Sequence, residues 1–146
     1  MKYAIEHGGV GAIWLADSED VPAGHVLYTG ELPQNPIWDD AIQNIREKTQ
    51  QELDADQAFA IVNEINQEAY TRIIAIVPEH TQRNMTARGL EITQKLVAGD
   101  PLTQDEIDER AAIQAVWDQV KAIRAAANTM TSDPLTYADP ASRVWP

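Results

Sequence analysis

Residues 103–128, TQDEIDERAAIQAVWDQVKAIRAAAN, decide how the rest of the chain is read. Thr103 followed three places later by Glu106 forms a capping box: the threonine oxygen accepts from the Glu106 amide, and the glutamate reaches back to the Thr103 amide. Pro101 stands just ahead, and Asp105, Glu106, Asp108 and Glu109 crowd the first turns, where the positive end of a helix dipole favours carboxylates. Ile113, Val116, Val120, Ile123 and Ala127 then recur at three- and four-residue spacing, one apolar face to bury. A helix with a buried stripe needs neighbours, and the flanking sequence supplies them.

Upstream, Glu79 to Ala98 is a helical stretch with Met85, Leu90, Leu96 and Val97 apolar and Gly99 placed for a C-terminal cap. Gly89 within it costs about 1 kcal/mol against alanine. Before that, Trp38, Ile42, Ile45, Thr49 and Leu53 fall at spacings of 4, 3, 4 and 4, and Val62, Ile65, Ala69, Ile73 and Ile76 continue at 3, 4, 4 and 3. Pro78 ends that run because its ring clashes with the preceding turn. Asp54-Ala55-Asp56 offers an N-cap in the middle, so residues 38–77 are expected to form two helices. Downstream, residues 131–146 (TSDPLTYADPASRVWP) carry three prolines and no period, which predicts an extended tail.

The N-terminus follows a different period. Lys2-Tyr3-Ala4-Ile5-Glu6 alternates, His7-Gly8-Gly9 suits a tight turn, and Val10 to Ala16 carries Ile13, Trp14 and Leu15 as a partner strand. Asp17 to Asp20 is an acidic loop, Pro22-Ala23-Gly24 a turn, and His25 to Tyr28 a third strand ended by Gly30. Residues 31–36 (ELPQNP) form a Pro-rich connector. The fold class is therefore α+β, mainly α: a short N-terminal antiparallel β unit (1–36), a bundle of three or four helices (37–130) and an extended C-terminal tail (131–146). Trp14 and Trp38 are expected to bridge the sheet and the first helix.

Composition removes whole classes of function. The 146 residues contain no cysteine, so disulfides, thiolate nucleophiles and thiolate metal sites are excluded together. The net charge is -12, which argues against phosphate-backbone binding and against an anionic membrane surface. Nucleic acid and membrane are thus not expected as partners. The acidity is uneven, with 3 basic and 11 acidic side chains in residues 1–60 against 8 and 12 in residues 61–146. No apolar run approaches the ~20 residues of a membrane helix, and MKYAIEHGG lacks the pattern of a signal peptide.

No catalytic set assembles from the spacing. His7, His25 and His80 form no HxH or HExxH pattern, and a metal site needs three or four ligands. Ser18, Ser132 and Ser142 occupy loops or the tail, outside any nucleophile elbow. Gly8-Gly9-Val10-Gly11 has no helix behind it to hold a phosphate. The carboxylate pair Asp39-Asp40 sits where a helix start would stabilise it. An enzyme is not expected, nor a cofactor or metal.

Contact residues are better represented. Gln82-Arg83-Asn84-Met85, with Arg72 one helix earlier and Arg124 in the last helix, offers forked groups suited to a partner's carboxylates or backbone. The same groups can instead tie helices to one another. Trp145, in the closing Arg143-Val144-Trp145-Pro146, either folds back on the bundle or inserts into a partner, because chain ends fray unless docked.

These residues also carry a resemblance. Glu68-Ala-Tyr-Thr-Arg-Ile-Ile-Ala-Ile-Val-Pro78, Gln82-Arg83-Asn84-Met85, Asp100-Pro-Leu-Thr-Gln-Asp-Glu106, Ile113 to Asn128 and the closing Asp139-Pro140…Val144-Trp145-Pro146 follow in order. Together they resemble small proteins encoded in bacteriophage tail-fibre regions, over residues 68–146. The resemblance implies a tail-fibre or baseplate component or a fibre-assembly factor, without catalytic activity, in the virion tail or in the host cytoplasm during assembly. It implies a fibre or baseplate protein as partner, self-association (a trimer among the forms), and Arg72, Gln82, Asn84, Arg124 and Trp145 as contact residues. The alternative, motivated by the acids of residues 17–56, is an acidic mimic of nucleic acid that inhibits a host DNA-binding protein.

Overall fold

Alternation and turn chemistry build the N-terminal end of the molecule. The computed structural model describes residues 2–9, 11–15 and 20–146. Strand β1 (Lys2–Glu6) pairs antiparallel with β2 (Ala12–Leu15) on one side and β3 (His25–Thr29) on the other. Gly8 takes φ +79°, and the Gly9 amide closes the turn on the Glu6 carbonyl at 2.9 Å. Gly24, also at φ +79°, lets the chain re-enter β3 after Pro22. Val10, Ala16 and the acidic-loop positions 17–19 lie outside the described residues.

The next segment departs from expectation. Residues 36–47 form a β hairpin, β4 (Pro36–Asp39) paired with β5 (Asn44–Glu47), instead of the first turns of a helix. The apolar spacing misleads because Trp38 and Ile45, two turns apart on a helix, are directly opposite in the hairpin. Local polar chemistry favours the turn: the Asp39 carboxylate accepts from the Ala41 amide at 2.9 Å, and Gln43 adopts φ +50°, a conformation that closes turns and that helices exclude. Trp38 consequently does not sit on a helix; its ring meets His7, with centroids 4.8 Å apart.

One helix, α1 (Gln50–Ile76), runs through Asp54–Asp56 without the break expected there. Its start is set upstream by a capping box. The Thr49 amide donates to Glu52 Oε2 at 2.8 Å and the Glu52 amide to Thr49 Oγ1 at 3.3 Å. The two aspartates thus fall in the early turns, where the dipole tolerates them. Helices α2 (Glu79–Ala98) and α3 (Gln104–Ser132) follow. Gly99 at φ +81° and the Asp100 amide bond to the Leu96 and Lys95 carbonyls, the paired bonds of a Schellman closure. The Thr103/Glu106 capping box forms as expected.

The tail is also shorter and more ordered than an extended segment. Helix α3 continues to Ser132, and two 3₁₀ turns, Pro134–Tyr137 and Pro140–Ser142, precede the closing residues 143–146. Each opens on a proline, whose fixed φ suits a first helical position. Asp139 caps the second by accepting from the Ala141 amide at 2.9 Å.

The chain divides into two compact units, Met1–Ala55 and Asp56–Pro146, so residues 37–55, expected in the helical bundle, belong to the unit that holds the strands. The first unit buries Ala4, Ile5, Leu15 and Ile45. In the second, α3 is the spine. Glu106, Glu109, Ile113, Val116, Val120, Ile123, Ala127 and Met130, alternately three and four apart, are all buried or half-buried. The C-terminal half of this seam packs with Ile61, Ile65, Ala69 and Ile73 of α1, with Val77 just after it, and with Tyr137 and Trp145 of the tail. The N-terminal half runs beside α2, whose one fully buried residue is Ile92.

Candidate interaction surfaces

Three side-chain clusters organise the described polar chemistry. The first fastens the tail. Arg143, its side chain only 4% exposed, places Nη2 2.8 Å from Glu64 and Nη1 3.6 Å from Glu68, and its Nε donates to the Tyr137 carbonyl at 3.1 Å. Glu68 also accepts from Arg72 at 2.9 Å. The Arg72 guanidinium lies 5.0 Å from the centre of the Trp145 ring, within the range of a cation–π contact. Trp145 is therefore packed against its own helices, and its buried Nε1–H meets no acceptor among the described residues.

The second cluster joins α2 to α3. Arg88 bonds Glu91 and Glu109, each at 2.9 Å, and approaches Glu106 at 3.8 Å. Lys95 Nζ donates to the buried Glu106 carboxylate. The Lys95 bond, and after it the Thr103 amide, lower the Glu106 pKa from 4.5 to about 2. Arg88 is held charged by Glu91 first and then Glu109. Beside this network runs a groove of about 380 Å³, with Met85, Ala112, Ile113 and Val116 as its apolar lining and Asn84, Arg88 and Glu109 as its polar groups. The same helical hairpin of α2 and α3 leaves Leu90 57% and Val97 84% exposed, with Ile107 also in water.

The third cluster lies in the N-terminal unit. Arg46 donates Nε to Asp39 at 2.7 Å and forks Nη1 and Nη2 onto Glu52 at 2.8 and 2.9 Å. Glu52 is lowered to about 2, by Arg46 first and then the Thr49 amide; Asp39 is lowered for the same leading reason, and Arg46 is raised. Glu47 accepts from the Gln34 and Asn35 amides, fixing the Pro-rich connector to β5.

Of the five expected contact residues, the fold brings only Arg72 and Trp145 together: the Trp145 ring packs inward, and the largely exposed Arg72 side chain lies over it. Gln82 is likewise committed, its Nε2 bonding the Val77 carbonyl at 2.9 Å to close the end of α1. Of the two placements open to Trp145, the fold takes the first: the ring folds back on the bundle and packs against the core of α1 and α3. Asn84 stands at the groove, and Arg124 is exposed on α3. Sequence reasoning passed over Arg46, Arg88 and Arg143. The first was signalled by Thr49-x-x-Glu52 beside it, whereas Arg143 bonds a carboxylate 79 positions away, which no local pattern encodes.

Among the described residues, no three His, Asp or Glu side chains converge on a metal position, and no helix is long and apolar enough to cross a membrane. No protein-family model, curated protein or solved structure matches the chain.

Proposed function

We propose that this chain is a non-enzymatic bacteriophage tail protein, a structural tail-fibre or baseplate component or a fibre-assembly factor, acting through protein–protein contacts. The observation that carries the reading is the unfinished packing of α2 against α3. Two helices side by side bury one stripe each and leave an apolar groove that a third helix would close. Here the groove is lined by Met85, Ile113 and Val116, while the other end of the same helix α3 already has α1 and the tail around it. Amphipathic helices laid into such grooves are a recurrent mode of recognition. The ordered motifs of residues 68–146 supply the phage context.

The nucleic-acid mimic receives less support. Mimicry needs carboxylates free to stand in for phosphates, and Asp39, Glu47 and Glu52 are taken up by Arg46 and by backbone amides. The test is cross-linking and copurification with the neighbouring fibre protein, together with mass spectrometry of intact virions. Recovery from a fibre complex or a virion is expected; absence from both overturns the reading.

A further inference from the structure

The register of the N-terminal sheet places three aromatic rings in one line. Tyr3 of β1 is directly opposite Trp14 of β2 and directly opposite Tyr28 of β3, and residues directly opposite share a face. Trp14-Tyr3-Tyr28 therefore crosses the whole sheet as a single row, roughly 10 Å from first ring to last at ordinary strand spacing. Tyr28 is steadied at one end by its Oη–H, which donates to the Glu31 carbonyl at 2.9 Å.

Sheet stability explains only part of this row. Cross-strand aromatic pairs support a sheet, and Tyr3 and Tyr28 are half-buried in that role. Trp14 is not: it lies on the outer strand with 63% of its surface in water. A large exposed ring on an edge strand contributes little to its own fold and is the residue type that anchors interfaces.

Charge identifies the occupant. The Met1–Ala55 unit has 3 Lys and Arg against 10 Asp and Glu, a net -7. Arg46 is already spent on Asp39 and Glu52, and Glu31, next to the Tyr28 end of the row, is exposed. The field of the unit attracts cations and repels phosphates and sulfates. The ring faces carry a negative quadrupole and select the same sign at short range. Long-range and contact terms thus agree.

We propose that the Trp14-Tyr3-Tyr28 row is a docking platform for an extended basic segment of a partner protein, with Lys or Arg side chains seated on the ring faces. At about 3.1 Å per residue in an extended polyproline-type segment, cations three positions apart span the distance from Trp14 to Tyr28. The inference is independent of the tail-protein reading and of the α2–α3 groove, since any partner with such a segment qualifies.

The test uses the full chain and fluorescein-labelled hexa-arginine, with hexa-glutamate and cellohexaose as controls, read by anisotropy or displacement. Hexa-arginine is expected to bind, more weakly at high salt, and neither control to bind. Trp14→Ala, at an exposed position, retains the thermal midpoint and weakens hexa-arginine by about five- to thirty-fold, the equivalent of one cation–π contact; Trp14→Phe retains most of the affinity. Four results overturn the proposal: no hexa-arginine binding; binding that Trp14→Ala leaves unchanged, which marks diffuse charge attraction; cellohexaose binding lost in Trp14→Ala, which marks a sugar platform; or a change of oligomeric state in Trp14→Ala without peptide binding, which marks a contact between copies.

Discussion

Replacing Trp145 with alanine tests whether the tail is part of the core. A tryptophan side chain offers roughly 200 Å², and most of it is covered in the wild-type chain, where the ring packs against the α1–α3 core. At about 25 cal/mol per Å², burial of ~130–180 Å² contributes an upper estimate of about 3–4.5 kcal/mol. Loss of the Arg72 contact adds about 0.5–1 kcal/mol. Against this, the buried Nε1–H has no acceptor among the described residues, and removing such a group relieves about 1–3 kcal/mol. The net expectation is a loss of about 2–3 kcal/mol, or roughly 10–20 °C in the midpoint of a domain of this size. Circular dichroism at the helical minimum follows the transition, since all three helices lie wholly or mainly in Asp56–Pro146. Trp145→Phe separates the terms: it retains most of the ring area and removes the orphan donor, so its midpoint should equal or exceed the wild type. A midpoint for Trp145→Ala within about 3 °C of wild type, where the size scaling demands more, would refute the docked tail. Equal damage from the phenylalanine variant would show that the indole N–H has a partner.

Other perturbations read the remaining clusters. Glu106 and Glu52 have folded pKa values of about 2 against an ordinary 4.5, so their stabilisation is complete above the unfolded value and is lost as pH falls from 4.5 towards 2. Urea midpoints should decline across that window, and Glu106→Gln should be less stable at neutral pH with a flatter acid limb. Arg46→Lys should return Asp39 and Glu52 part of the way to ordinary carboxylate titration by NMR, because a single ammonium cannot fork between two acids; unchanged titration curves would deny Arg46 its role. Gly99→Ala, at φ +81° with open space around the added carbon, should cost roughly 1–2 kcal/mol from backbone strain alone. Leu90→Lys with Val97→Lys should change stability by less than about 0.5 kcal/mol per site, yet reduce cross-linking to a fibre partner if the α2–α3 hairpin is the contact.

What was legible in the sequence follows the range of the interactions involved. The Thr103/Glu106 box and the Gly99 closure are decided within six residues, and both are read directly from residue type. The Thr49/Glu52 box obeys the same rule. It was overlooked because apolar spacing extended a helix back to Trp38, a pattern that a hairpin with Trp38 opposite Ile45 satisfies equally. Turn chemistry at Asp39 and Gln43 was the deciding local signal. Residue type singles out Arg72, Gln82 and Trp145, but what each of them touches depends on what packs beside it. Arg143 pairs with Glu64 and Glu68 only after α1 and the tail have met, and a feature of that range is set by the tertiary fold.

The shared seam of α3 has a dynamic consequence. Amides near Val120 to Met130, under α1 and the tail, open only with the whole unit, whereas those near Gln104 to Ala112 lie outside that core cluster, beside α2, and can open by fraying. Hydrogen exchange should therefore slow progressively along a single uninterrupted helix from its start to its end. A ligand helix seated between α2 and α3 would level that gradient, so the exchange profile of α3 is a built-in reporter of occupancy.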